Sequence, residues 1–135
     1  MLSKDSIQKF LSIIDEDFTP ALSSKVLIGN FVDKIFDKAE LIVEETDENI
    51  VGLVVLYCND TENLQAYISL VGVLPECRGK GIAKKLMKQA VSLAKVNGMR
   101  TLLIHSNNHI AISLYQSFGF EVVEDGVRKL LSLHL

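Results

Sequence analysis

The stretch VGVLPECRGKGIA, residues 71–83, decides the fold because it carries a strand pattern into a helix pattern through a glycine-containing loop. Its first residues end an apolar, β-branched run, and Ile82 and Ala83 begin an apolar stripe with helical spacing. Gly79 and Gly81 let backbone N–H groups converge on a bulky anion, and a helix N-terminus adds partial positive charge. The stretch therefore predicts a strand, a loop and a helix arranged around a local anion site.

Basic side chains crowd the start of the predicted helix. Arg78, Lys80, Lys84 and Lys85 lie there, and no acid follows Glu76 before the helix begins. Exposed cations at a helix N-terminus oppose the macrodipole and cost roughly a few tenths of a kcal/mol each. A bound diphosphate would turn that cost into a gain, whereas the alternative interpretation is a glycine-containing loop with solvated lysines.

Towards the N-terminus, the pattern predicts two helices followed by three strands. Apolar residues recur at helical spacing in 5–14 and in 31–36, and the segment between them is ambiguous. Apolar runs at 41–43, 50–57 and 67–74 are separated by turn residues. These runs indicate an antiparallel meander of three strands.

Towards the C-terminus, helices and strands alternate. The helical stripe ends before Gly98, where a left-handed C-cap is expected. Residues 101–104 predict a buried strand, and Asn108 offers an N-cap to a short helix that follows. The last two strands lie within 120–135 and are joined by the hairpin signal Asp125-Gly126. The order of elements predicts an α/β fold, with a mixed sheet and helices on its faces.

Length and composition fit one domain over residues 1–135 and favour a cytoplasmic protein. The 135 residues carry a formal net charge of -3, so the overall charge does not favour binding to nucleic acid or to an anionic membrane. No apolar run approaches the ~20 residues that a membrane span requires. The two cysteines, Cys58 and Cys77, form neither a CxxC pair nor a disulfide framework, and no metal site is predicted.

Two motifs in order along the chain make the assignment specific. The acyl-CoA-binding signature [RQ]xxGx[GA] is matched by Arg78, Gly81 and Ala83. A second signature, NxxAxxxYxxxGF, is matched by Asn108, Ala111, Tyr115, Gly119 and Phe120. From about Glu40 to Glu124, the chain resembles the GNAT superfamily of N-acetyltransferases.

This resemblance implies a mixed, mostly antiparallel six-stranded sheet with helices on both faces, two N-terminal helices and a C-terminal hairpin. It also implies an acetyltransferase that uses acetyl-CoA and releases coenzyme A. The backbone of Val71 and Val73 would pair with the pantetheine amides like an added strand, and Asn108 would approach the cofactor arm. The full set of predicted cofactor contacts is Val71, Val73, Arg78, Gly79, Lys80, Gly81, Ile82, Ala83, Lys84, Asn108 and Tyr115.

The resemblance makes Tyr115 the general acid, which protonates the departing thiolate of coenzyme A. Direct attack by an amine also requires a base, because the amine must reach the thioester in its neutral form. Many relatives carry a glutamate on the strand before the second motif, but Leu103 occupies that place here. The substitutes left open are Glu76, His105 or a water held by Tyr67 and Ser69.

The acceptor is predicted to be a primary amine on a small molecule. An amino sugar is suggested because the segments at 18–24 and 57–60 resemble GNAT proteins that accompany surface-polysaccharide and sugar-modification pathways. Its candidate contacts are Tyr57, Asn59 and Tyr67. Acids at 15–17 could attract a cationic amine, but a solvated helix end is the preferred interpretation. A homodimer through a self-associating sheet edge is also predicted, because the final strand at 130–135 is apolar and terminal.

Three other functions compete with this assignment. The missing glutamate permits a non-catalytic module that binds acyl-CoA. A peptide or protein N-terminus could replace the small amine as acceptor. A phosphate-binding domain unrelated to coenzyme A is the third; within 78–84 the spacings of the Walker loop and of the dinucleotide fingerprint are both missing.

Overall fold

The computed structural model of the chain describes residues 2–18 and 20–135 and follows the predicted order of elements. Three short 3₁₀ turns lie at Asp15–Asp17, Leu22–Ser24 and Pro75–Cys77. The helices and strands are α1 Lys4–Ile14, α2 Ile28–Lys38, β1 Glu40–Thr46, β2 Asn49–Asp60, β3 Gln65–Val73, α3 Ile82–Val96, β4 Thr101–Ser106, α4 His109–Ser117, β5 Glu121–Glu124 and β6 Lys129–His134.

The six strands form one sheet in the order β1-β2-β3-β4-β6-β5. Every neighbouring pair is antiparallel except β3 and β4, which are parallel, so the predicted mixed and mostly antiparallel sheet is confirmed. One expectation is wrong. The final strand β6 is not an edge, because it lies between β4 and β5. The edges are β1 and the four-residue β5, so the argument for a homodimer through the last strand loses its basis.

Helices cover both faces of the sheet and divide the core in two. Ile7, Phe10, Leu11 and Ile14 of α1 pack with α2 against one face, which we call the α1/α2 face. Leu86, Met87 and Ala90 of α3 pack with α4 against the other, the α3/α4 face. Strand β2 serves both cores by alternation: Leu53 and Val55 face α1 and α2, whereas Val54 and Leu56 face α3 and α4. This alternation explains why β2 is an almost continuous apolar run.

Strands β3 and β4 pair over only four residues and then separate. The parallel register runs from Gln65 opposite Thr101 to Ile68 opposite Ile104. At that point Ser69 is an extra residue in β3, since Ile68 and Leu70 pair with the adjacent residues Leu56 and Val55 of β2. A bulge bends its strand and ends regular pairing. From Ser69 to Val73, the edge of β3 that faces β4 has no neighbouring strand.

Helix α4 begins and helix α3 ends as the sequence predicts, but the turn between β5 and β6 differs from the prediction. Asn108 caps α4 by accepting a hydrogen bond from the Ala111 N–H at 3.0 Å, and Gly98 ends α3 with φ 79°, both as predicted. The β5–β6 hairpin also forms, but its turn is not a two-residue Asp-Gly turn. Residues 125–128 separate the strands and Gly126 does not have positive φ, because the Asp125 carboxylate instead accepts from Gly126 and Lys129.

Candidate active site

A cleft of about 940 Å³ opens where β3 and β4 separate. One wall consists of Ser69 to Val73 of β3, and the other of His105 to Asn108 at the end of β4. The cleft reaches both faces of the sheet. On the α3/α4 face it is lined by Ala83 at the start of α3 and by Ala111, Leu114 and Tyr115 of α4.

On the opposite face the cleft is lined by side chains from the connector between α1 and α2, from α2 and from the strands. We call this part the acceptor half, and it is lined by Phe18, Leu22, Lys25, Val26, Phe31, Tyr67, His105 and Arg128. The remainder, on the α3/α4 face and along the free edge of β3, we call the cofactor half.

The loop before α3 offers a run of free backbone N–H groups to the cofactor half. No described residue accepts a hydrogen bond from the N–H groups of residues 79–84. Gly79 and Gly81 have φ 79° and 80°, a conformation that costs a residue with a Cβ roughly 1–2 kcal/mol, so glycine is favoured there. The first turn of α3 contains no acid, and its dipole adds partial positive charge to the same place.

Arg78 is held in place by two contacts. Its Nε donates to the Val73 carbonyl at 3.1 Å, and its guanidinium forms an ion pair with Asp17 at 2.5 Å. These contacts join the end of β3 to the connector between α1 and α2. Because the sequence separation is 61 residues, no local motif pointed to the pairing of Arg78 with Asp17.

Tyr115 lies on the buried face of α4, at the floor of the cofactor half. Its side chain is 4% exposed and its ring contacts Phe120 at a centroid distance of 6.0 Å. Burial raises the pKa of the Tyr115 hydroxyl to about 12, so the group keeps its proton at neutral pH. Among the described residues the hydroxyl has no hydrogen-bond partner, yet its oxygen is not sealed from solvent, since it opens into the cleft.

Tyr67 and His105 meet across the end of the paired part of β3 and β4. The Tyr67 hydroxyl lies 2.8 Å from His105 Nδ1, and the two rings pack edge to face at 5.7 Å. Leu102 and Ile104 face the α3/α4 core, so alternation along β4 directs His105 to the other face. Tyr115 and the Tyr67–His105 pair therefore approach the cleft from opposite faces of the sheet.

Residues 7–120 match the sequence profile of the Acetyltransferase (GNAT) family. The chain belongs to this family. The expected resemblance is confirmed over most of the sequence, including both signatures.

Individual GNAT relatives agree with the family match. The chain is 34% identical over 76 residues to the chloroplastic GCN5-related N-acetyltransferase 6 of Arabidopsis thaliana, covering 53% of this chain and 26% of the relative. It is 35% identical over 81 residues to an N-terminal acetyltransferase complex ARD1 subunit homolog of Dictyostelium discoideum, covering 58% and 40%. The chain thus spans less than half the length of these two relatives.

The GNAT fold is also found among solved structures. PaiA N-acetyltransferase of Thermoplasma acidophilum, crystallised in complex with coenzyme A, superposes with a TM-score of 0.74 at 16% identity, covering 99% of this chain and 96% of that one. Residues 2–18 and 20–135 include no helix long and apolar enough to cross a membrane. Within these limits no group of three metal-ligating side chains occurs either.

Most of the predicted cofactor residues lie together in this GNAT chain. Val71, Val73, Arg78, Ala83, Asn108 and Tyr115 all line the cleft. Lys80 and Lys84 are exposed beside it, whereas the Ile82 side chain packs into the cores and can offer only its N–H group.

The predicted acceptor contacts are only partly in the acceptor half. Tyr67 lines it, but Tyr57 packs against the α1/α2 core and Asn59 donates to the Lys38 carbonyl at 2.8 Å, at the end of α2. Of the possible bases, His105 is in the cleft, whereas Glu76 lies in a separate depression beside Cys77. In the segment 18–24, Phe18 and Leu22 line the cleft, and Thr19 is outside the described residues.

Proposed function

We propose that the chain transfers the acetyl group of acetyl-CoA to a primary amine, with a small molecule as the acceptor. The observation that carries the proposal is the convergence of three features on one cleft: a free strand edge, a run of unpaired N–H groups and a protonated tyrosine hydroxyl. Family membership and the coenzyme A found in the related Thermoplasma structure support the same chemistry.

The chain's residues fit the cofactor. A diphosphate would accept hydrogen bonds from the N–H groups of residues 79–84, where anion binding also satisfies the dipole of α3. The free edge of β3 from Ser69 to Val73 would bind an extended pantetheine arm as an added strand. Bound there, acetyl-CoA supplies an acetyl group activated as a thioester.

Tyr115 would act as the general acid. As the N–C bond forms and the C–S bond breaks, the electron pair of the broken bond remains on sulfur, and the Tyr115 hydroxyl gives its proton to that atom. A pKa of about 12 keeps the hydroxyl protonated until the sulfur develops charge. The acid therefore needs no preceding protonation step at neutral pH.

His105 would accept the proton that the amine loses, with Tyr67 as its positioning residue. When His105 Nδ1–H donates to the Tyr67 oxygen, Nε2 carries the free lone pair. This tautomer makes Nε2 the basic atom that can face an amine in the acceptor half. Of the two side chains that the sequence left open as the base, the proposal selects His105, because His105 lines the cleft and Glu76 does not.

Calorimetric titration with coenzyme A, with ATP as the comparison ligand, tests the cofactor half. Release of free thiol from acetyl-CoA, measured over small amines, amino sugars and peptides with free N-termini, tests the transfer. We expect coenzyme A to bind at micromolar concentrations, ATP to bind more weakly, and at least one small amine to cause thiol release. Binding without turnover over the whole panel would instead identify an acyl-CoA-binding module, and turnover with peptides alone would make a peptide N-terminus the acceptor.

A further inference from the structure

Two of the three acids at 15–17 are already engaged by the protein's own residues, and the third, Glu16, does not line the cleft. Among the described residues that line the cleft, Asp17 is the one acid, and it is paired with Arg78 at 2.5 Å. Asp15 accepts hydrogen bonds from the Ser23 N–H at 2.7 Å and from the Ser23 hydroxyl at 2.6 Å. These bonds lower the pKa of Asp15 and hold its carboxylate in the turn. Among the described residues, no unpaired carboxylate therefore lines this half to attract a polycationic amine.

Two cations in the same half are, by contrast, unpaired. Lys25 comes from the connector between α1 and α2, and Arg128 comes from the β5–β6 turn. Neither forms an ion pair with any described acid, although the neighbouring Lys129 is neutralised by Asp125 at 2.5 Å. Arg128 immediately precedes β6 and lines the same cleft as Lys25 and His105.

The excess of positive charge in the acceptor half contrasts with the negative net charge of the whole chain. The formal net charge is -3, so an anion gains nothing from the average field of the molecule and must be attracted by particular side chains. Phe18, Leu22 and Phe31 supply an apolar wall to the same half. An apolar wall favours the neutral form of the attacking amine, because desolvation disfavours its ammonium form.

We infer that the acceptor is a primary amine that also carries an anionic group, a carboxylate or a phosphate, bound by Lys25 and Arg128. This inference rests on the proposed acetyl transfer and names the class of acceptor for the same cleft. The anion holds the molecule by one end, and the amine at the other end reaches the Tyr67–His105 pair. Arg128 can bind either anion through two parallel N–H groups, whereas Lys25 contributes a point charge.

Matched pairs of acceptors test the inference and separate the two kinds of anion. One pair is a dipeptide with a free carboxylate and the same dipeptide as its C-terminal amide. The other pair is glucosamine 6-phosphate and glucosamine. In the double variant Lys25→Met/Arg128→Met, we expect the KM for the preferred anionic member to rise at least about tenfold, as the loss of a charge-assisted contact predicts, with kcat nearly unchanged. The KM for its uncharged counterpart should stay within about twofold, since no contact to it is lost.

The double variant Lys34→Met/Lys88→Met is the matched control, because it removes two exposed cations that lie outside the cleft. Calorimetric binding of all four probes to the complex with coenzyme A keeps the test independent of turnover. If no probe is acetylated but the anionic members bind and lose affinity in the double variant, the proposed function fails and the anion subsite stands. Equal binding of anionic and uncharged members would overturn the subsite, and so would a loss of coenzyme A affinity in the Lys25→Met/Arg128→Met variant.

Discussion

The two halves of the cleft are built in different ways. The cofactor half is made mainly of backbone groups and small side chains from two segments, residues 69–84 and the helix that Asn108 begins. The acceptor half is made of side chains from the α1–α2 connector, α2, β3, β4 and the β5–β6 turn. One half thus comes from two segments that carry sequence motifs, and the other is assembled by packing.

This difference separates a general part of the site from a specific part. Backbone N–H groups at a helix N-terminus recognise any diphosphate, and glycine spacing alone is enough to present them. Side chains from five elements instead recognise one acceptor, and they can change without disturbing the cofactor half. Substitutions in the cofactor half should therefore affect every acceptor equally, whereas those in the acceptor half should distinguish between acceptors.

The largest effect is expected at Tyr115. Tyr115→Phe removes the hydroxyl but keeps the ring packed on Phe120, so kcat should fall by roughly 10²- to 10⁴-fold, the usual contribution of a general acid, while affinity for coenzyme A stays unchanged. Steady-state kinetics and calorimetry measure the two quantities. Since burial raises the pKa of Tyr115 to about 12, its loss of a proton should not limit kcat in the wild type below that pH range.

Tyr57→Phe is the matched control for this substitution. Tyr57 is half-buried and burial raises the pKa of its hydroxyl too, but it packs against the α1/α2 core and does not line the cleft. The kcat of Tyr57→Phe should stay within about twofold of the wild-type value, because the hydroxyl that it removes is outside the cleft. Equal losses in the two variants, or a parallel loss of kcat and coenzyme A affinity in Tyr115→Phe, would remove the acid role.

A somewhat smaller effect is expected from the base. His105→Asn keeps a donor to the Tyr67 oxygen but removes the basic nitrogen, so kcat should fall about 10²-fold. Tyr67→Phe should lower kcat less, because it disorders the histidine without removing it. Steady-state rates with a saturating amine measure both.

His134→Asn provides a control, since this histidine lies at the exposed end of β6 and does not line the cleft. It should leave kcat unchanged. A kcat equal to that of the wild type in His105→Asn would transfer the base role to water.

The sequence predicted the cofactor half better than the acceptor half, and the reason is physical. The alternating or helical spacing of apolar residues specifies which face each element buries, and glycines at positive φ specify the loop at 78–83 and the end of α3. These are local signals. They identified every helix and strand, and four of the five strand pairings need only short connections or one crossover.

The acceptor half depends instead on contacts between distant parts of the chain. The Arg78–Asp17 pair spans 61 positions and Tyr67–His105 spans 38, so neither has a local pattern. Arg128 lies in the β5–β6 turn and carried no motif, because only the folded sheet brings it and His105 to one cleft. For the same reason Tyr57 and Asn59 resembled site residues by type, although one packs in a core and the other holds the end of α2.

A moderate effect is expected at the loop that carries the cofactor half. Gly81→Ala places a Cβ on a residue with φ 80°, where nothing lies within 4 Å, so strain and not a clash sets the cost. The strain of roughly 1–2 kcal/mol should either weaken coenzyme A binding about tenfold or lower the free energy of unfolding by a similar amount.

Gly29→Ala is the matched control, because Gly29 lies within α2, also has nothing within 4 Å and lacks positive φ. That substitution should raise stability by about 0.5–1 kcal/mol without changing affinity.

Equal responses of Gly81→Ala and Gly29→Ala, in calorimetry with coenzyme A and in denaturant unfolding, would contradict a positive-φ requirement at residue 81. A loss of acceptor discrimination in Gly81→Ala would contradict the separation between the two halves, since this loop should serve every acceptor alike.

The smallest effect is expected at the Asp17–Arg78 ion pair, which joins the two halves of the cleft. Asp17 and Arg78 are 37% and 48% exposed, so their pairing contributes about 0.2–1 kcal/mol to stability and is weakened by salt. Asp17→Asn should lower the free energy of unfolding by no more than that. It also frees the guanidinium for the diphosphate, so coenzyme A should bind about two- to fivefold more tightly at low salt, with the gain shrinking as salt is added.

Asp33→Asn is the control. It breaks the exposed pair with Lys4 outside the cleft and should leave the affinity for coenzyme A unchanged. Weaker coenzyme A binding in Asp17→Asn would mean that the pair holds Arg78 in its binding position, and the two halves of the cleft would then be coupled through this contact instead of acting independently.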